Sequence, residues 1–212
     1  WGINENSVPN WQKEIKMFFE LFDLIPQNNF SIFWTNPNIG LATQDGEIIE
    51  FWAKIKEKLG KGPTIRNPQL SKLKKDVTYR ILDKMISSGI TRDFKFDVQD
   101  LNEQVLKNIN RPEIPWKDHR EYILNLKSKH KHLDDIYIQR RNKYLNRLSF
   151  IWGLPGQTLD HLRYNIIEAG KIRCFGHNLP FELLPNSPAF EDEYLEKYQL
   201  KCRNIEILGH GK

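Results

Sequence analysis

Short runs rich in aromatic and β-branched residues alternate along this chain with longer stretches whose apolar positions recur every three or four residues. Between Trp11 and Asn28, the residues Ile15, Phe18, Phe19, Leu21, Phe22 and Ile25 form one helical stripe, which ends at Pro26. Phe30–Trp34 reads as a buried strand. Helical spacing returns from Glu47 to Leu59, and Gly60 offers a C-terminal cap. Pro63–Arg66 is a short strand candidate. Asp76–Ser88 reads as a helix capped by Asp76, with Val77, Ile81, Leu82, Met85 and Ile86 facing inward and Gly89 ending it.

The second half continues the alternation. Ile90–Gln99 predicts a strand with Phe94, Phe96 and Val98 on one face and Lys95, Asp97 and Gln99 on the other. Helices follow over 102–110 and 115–133, then a strand at Arg147–Gly153. Thr158 opens a helix that Gly170 closes, and a last strand lies within Cys174–Leu184. This rhythm predicts an α/β fold of parallel strands joined by crossover helices, either an open doubly wound sheet or a full or partial barrel. The expected organisation is one domain over 1–190 with a helical, polar tail over 191–212.

Composition narrows the class. A chain of 212 residues with 39% hydrophobic content suits one packed domain. No apolar run approaches the roughly 18–20 residues of a membrane span, and the opening residues lack a signal-peptide pattern. A cytoplasmic setting is the expectation. The first residue is Trp1 rather than Met, so a fragment or processed product is expected. The net charge of +5 gathers at Lys127–His132 and Arg140–Lys143. A solvated helix end explains such clusters, and a nucleic-acid surface over 127–143 is the alternative. Cys174 and Cys202 stand too far apart for a metal-ligand spacing and read as reduced thiols, and His130 with His132 lacks a third ligand nearby.

Two segments carry candidate chemistry. The Lys95, Asp97, Gln99 face runs toward the C-terminal end of its strand, where barrels place their sites; the wet side of an edge strand has the same pattern. In Ser149–Thr158 a strand runs into a Gly-x-x-Gly turn and then a capped helix. Glycines let a ligand approach the backbone, and amides at a helix start suit anionic groups, although a plain tight connection reads alike. His177 and Glu182 could face a substrate or serve structural hydrogen bonds. The tryptophans read mostly as core, and Trp34 and Trp152 could line a pocket.

Gly153-Leu154-Pro155-Gly156-Gln157-Thr158 resembles a strand-end motif of radical S-adenosylmethionine (SAM) enzymes, above all the coproporphyrinogen-oxidase-like and cobalamin-binding groups. The stretch from Asp97 to Arg111 is similar to their fourth-strand segment, with Gln99 at the strand end and Arg111 after the following helix. Leu183–Pro188 resembles a stretch after the last barrel strand, and Asn36–Gly40 with Gln44-Asp45 resembles the end of the second strand. The resemblance implies a partial TIM-like barrel that binds SAM. Gln99 and Arg111 would grip its carboxylate, with Asp97 beside them, as an arginine's two-pronged fork suits a carboxylate. The turn residues Gly153, Leu154, Pro155, Gly156 and Gln157 would lie along the adenosyl part, and Asn36 and Asn38 would take the amino group.

The same resemblance implies a [4Fe–4S] cluster that cleaves SAM reductively to a 5′-deoxyadenosyl radical, acting on a small-molecule or peptide substrate. Flavodoxin or ferredoxin would donate the electron, and the parent could carry cobalamin. The family's Cys-x-x-x-Cys-x-x-Cys loop is absent from this sequence. The expectation is therefore the larger C-terminal part of such an enzyme, inactive alone. Ser149 stands where relatives carry an acidic residue, and the Gly-Gly-Glu of the second strand is absent. A non-enzymatic α/β binding module, and a barrel enzyme using Asp97 and Glu182 as acid and base, remain the alternatives.

Overall fold

Six parallel strands appear among the residues described by the computed structural model, which are 11–24, 31–33, 38–111, 113–135, 146–182 and 191–200. β1 (Ser31–Phe33) pairs with β2 (Thr64–Arg66). β3 (Gln69–Leu70), β4 (Lys95–Gln99), β5 (Arg147–Trp152) and β6 (Phe175–Pro180) form a second sheet in that order. A parallel bridge from Ile39 to Leu70 adds one more rung beside β3. Each strand's neighbour in space is its neighbour in sequence. A doubly wound sheet reverses its strand order at a switch point, whereas a barrel wall keeps one direction. The fold is therefore α/β with barrel-like winding, and the described strands do not close a ring.

Helices α1 (Trp11–Leu24), α2 (Asp45–Leu59), α3 (Lys75–Ser87), α4 (Glu103–Asn108), α5 (Trp116–Lys129), α6 (Leu159–Lys171) and α7 (Asp192–Lys197) alternate with the strands. The predicted apolar face of β4 is the one that joins the core. Phe94, Phe96 and Val98 cluster with Leu148 and Phe150 of β5, Leu82 and Met85 of α3, and Ile123 and Leu126 of α5. Full burial of each such side chain is worth about 1.5–3 kcal/mol. Lys95 and Asp97, both only partly buried, alternate with that face, as the period of two requires.

At the other end of the core, Trp52 of α2 packs against Phe19 of α1 at 6.0 Å between ring centroids. Gly62 lies beside them at φ +149, and a Cβ added there would stand 2.2 Å from Phe19 Cε1. Gly62→Ala is expected to lower stability by about 2 kcal/mol, through overpacking and backbone strain together. A urea titration reads this directly; an unchanged midpoint would show that the ring moves aside freely.

Four sequence expectations are corrected. Ile90–Phe94 is not strand, because Thr91 and Asp93 close a local turn (Thr91 Oγ1 to Asp93 O, 3.0 Å) and only Lys95 onward enters the ladder. Asp76 is not the cap of α3. Lys74 holds that position without a side-chain capping bond, and Asp76 sits in the first turn, where its charge suits the helix dipole. Gly170 does not end α6, which runs to Lys171 before Arg173 takes a left-handed φ of 52. Lys127 is not solvated but 4% exposed, because its ammonium reaches the carbonyls of Ile172 (2.6 Å) and Arg173 (3.0 Å) beyond that helix end. Among the described residues no helix is long and apolar enough to cross a membrane.

Candidate functional site

β4 ends irregularly. Its register with β5 shifts between Phe96 and Gln99, and Gln99 takes φ +60, a conformation uncommon outside glycine. The Gln99 amide donates to its neighbour's carbonyl (Asp97 O, 3.3 Å), while Oε1 is buried with no hydrogen-bond partner among the described residues. The Asp97 carboxylate pairs with Lys95 at 3.1 Å, and the Asp97 carbonyl accepts from Lys72 at 3.0 Å. This pairing leaves Asp97 less suited to act as a free base.

The next residue, Asp100, is fully buried and joins two strand ends. One carboxylate oxygen accepts from the Asn102 amide at 2.7 Å. The other accepts from Gln157 Nε2 and from Asn165 Nδ2 on α6, the latter at 3.1 Å. Gln157 in turn donates to Ile151 O at 2.9 Å and accepts from the Gly153 amide at 2.7 Å. A continuous chain of bonds thus runs from the end of β4 to the elbow after β5. Asn102 caps α4 by accepting from the Gln104 and Val105 amides.

The elbow is built around its glycines. Gly153 and Gly156 have φ of +86 and +78, and a Cβ on Gly156 would stand 2.5 Å from Asn108 Nδ2. That nitrogen donates to Pro155 O at 2.9 Å, so α4 packs directly on the turn, and Leu154 beneath it is buried. Four of the amides around the elbow are already used. Gly153 N goes to Gln157, Gln157 N to Leu154 O, and Thr158 and His161 satisfy each other as a capping box. The turn itself offers shape and close approach, and the Leu159 and Asp160 amides that open α6 make no hydrogen bond among the described residues.

Arg111 lies just past α4. Its Nε donates to Glu113 Oε1 at 2.9 Å, and its side chain is 39% exposed. Lys72 lies 3.5 Å from the same oxygen. The Glu113 side chain is wholly buried; burial raises its carboxyl above the usual range and the Arg111 cation opposes that. A cavity of about 430 Å³ opens here, with Asp100, Lys107, Asn110, Arg111 and Glu113 around a floor that includes Val98, Leu101 and Leu106. Asp100, the residue after Gln99, thus bonds Gln157 of the elbow and lines the cavity beside Arg111.

Other expected residues fall elsewhere. Asn38 is half-buried at the turn before Gly40, while Asn36, Trp34, Cys202 and the 183–188 segment lie outside the described residues. His177 Nδ1 is buried with no partner among the described residues, and Glu182 is exposed. Trp52 is core and Trp152 is half-exposed. His130 and His132 stand 6.1 Å apart between ring centroids. Burial pushes the Cys174 thiol up to about 11. No group of three or more metal-ligating side chains occurs among the described residues.

Lys72, Asp100 and Glu113 were not singled out from the sequence. Asp100 directly follows Gln99, and Glu113 lies two positions after Arg111, so adjacency to the motif was the available signal.

No family model and no curated protein matches the chain. Among solved structures, it is similar to coproporphyrinogen III oxidase from Escherichia coli, described as a radical SAM enzyme. That likeness has 18% identity and a TM-score of 0.40, and covers 72% of this chain. The chain spans about a third of that protein, 35% of its length. A likeness of this size places the chain in no family. The α/β assignment rests on the chain's own strand order.

Proposed function

We propose that this chain is the SAM-holding part of a radical SAM enzyme. The observation that carries the reading is the place of Asp100, which follows Gln99 in the chain, accepts from Gln157 of the elbow and lines the cavity that Arg111 also lines. These are the residues that the motif resemblance assigns to SAM. A [4Fe–4S] cluster would have to be held by residues other than those described, and with it bound SAM would supply radical chemistry toward a substrate.

The residues present fit the amino-acid end of SAM. The Gln99 Nε2 that the resemblance assigns to the carboxylate is spent on Asp97 O, and the buried oxygen, which has no partner among the described residues, suits the ligand's ammonium instead. The Arg111 guanidinium keeps its two terminal nitrogens unbonded among the described residues, and they suit the carboxylate. Gly153, at φ +86, gives the adenosyl part an open backbone, since the nearest atom to an added Cβ is 3.8 Å away. The described residues do not fit the cluster, because Cys174 is buried and no ligating group surrounds it. A small-molecule or peptide substrate, a flavodoxin or ferredoxin donor, and a cobalamin site in a larger protein belong to the same proposal.

SAM titration by calorimetry tests the reading. Arg111→Ala is expected to weaken SAM at least tenfold, about 1.4 kcal/mol. Gln99→Ala is expected to act in the same direction. Anaerobic iron–sulfur reconstitution of this chain alone is expected to give no cysteine-ligated cubane spectrum. SAM affinity that is indifferent to both substitutions would reject the proposal.

A further inference from the structure

We propose that Glu113 is a positioning residue for Arg111, holding the guanidinium by its Nε so that only the two terminal nitrogens meet a ligand carboxylate. This rests on the SAM-holding reading above and concerns how that site is kept in shape.

Arg111 follows a six-residue helix and its side chain is 39% exposed, so nothing in its own backbone fixes the direction of its fork. Glu113 supplies the missing constraint. Its carboxylate is wholly buried and accepts from Arg111 Nε at 2.9 Å. That carboxylate is itself anchored, with Lys72 Nζ 3.5 Å from the same oxygen, and Lys72 also donates to the Asp97 carbonyl on β4 at 3.0 Å. The next amide, Ile114 N, donates back to Lys72 O at 2.8 Å. Arg111 is thereby tied through Glu113 and Lys72 to the strand that ends in Gln99.

An arginine can meet a carboxylate side-on, through Nε and one terminal nitrogen, or end-on through both terminal nitrogens. Glu113 occupies the side-on edge. The end-on pair stays unbonded among the described residues, in a side chain that lines the 430 Å³ cavity. Losing rotamer freedom before the ligand arrives lowers the cost of binding it.

The test compares SAM with decarboxylated SAM, which differ only in the group Arg111 would grip. The parent chain is expected to prefer SAM at least tenfold. Glu113→Ala should remove most of that preference while leaving the affinity for decarboxylated SAM within about twofold, and Glu113→Gln, which keeps an acceptor for Nε, should restore it to within about threefold. Because Glu113→Ala could unfold the buried Lys72 contact, arginine side-chain NMR on the parent supplies a second readout. The Nε–H signal that Arg111→Ala removes should be protected from exchange before SAM is added and stay so afterwards. A preference lost in Arg111→Ala but intact in both Glu113 variants, or an unprotected Nε–H, overturns the positioning role and leaves the SAM reading standing. No preference in the parent chain overturns both.

Discussion

Asp100→Ala is expected to cost about 4 kcal/mol of folding stability and to loosen the rim that carries the candidate site. Three donors converge on this carboxylate: the Asn102 amide, Gln157 Nε2 and Asn165 Nδ2. Asp100 is fully buried, so water cannot take its place without a local opening. Each buried donor left unsatisfied costs roughly 1–3 kcal/mol, and the three losses overlap because one group serves them all. Asp100→Asn keeps an acceptor oxygen but turns an amide toward other donors, so it should fall between the two. Gln157→Ala removes one arm only and frees the Gly153 amide. A double-mutant cycle by urea unfolding checks the linkage: a coupling above about 1 kcal/mol between Asp100 and Gln157 is expected. Simple additivity would mean that the two residues do not form one network.

The fold was readable from the sequence where periodicity was strong, and less so where side chains overrode it. β5 and the Thr158 cap lie close to their predicted places, because apolar alternation and a Thr before a helical stripe are local signals. β3 escaped notice because it has two residues, too few for any period. Lys127 was read as solvated because composition cannot show that a helix end two elements later supplies carbonyls for it. For the candidate site the sequence offered motifs alone. Motif resemblance singled out Gln99, Arg111 and the glycine elbow, and their tertiary ties were not in it. Glu113 and Lys72 act through contacts between separate loops, which a linear pattern does not record. The amides of the elbow looked available in sequence, but Gln157 and His161 side chains fold back on them.

Acid should reveal the second large effect, at His119. This residue of α5 is fully buried against the Phe96 ring, with centroids 4.7 Å apart, and its Nδ1 lies 3.1 Å from the Tyr79 hydroxyl. Burial lowers its pKa from 6.5 to about 4, with Asp118 opposing weakly. The folded state then holds the imidazole neutral where the unfolded chain would protonate it. The stability this contributes is complete above about pH 6.5 and is lost as pH falls toward 4, roughly 3 kcal/mol in all at 1.36 kcal/mol per pH unit. Buried carboxyls work against this trend. Asp45 and Glu113 have raised values, so the folded state binds their protons more readily as pH falls. Glu168 has a lowered value, and its loss belongs to lower pH. The parent's total slope mixes these, and only the difference between the parent and His119→Gln isolates the histidine. Urea unfolding at intervals from pH 7 to pH 4 should show the two chains diverging by about 3 kcal/mol across that window, with the parent losing more. Parallel curves would mean that His119 is solvated, or charged, inside the fold.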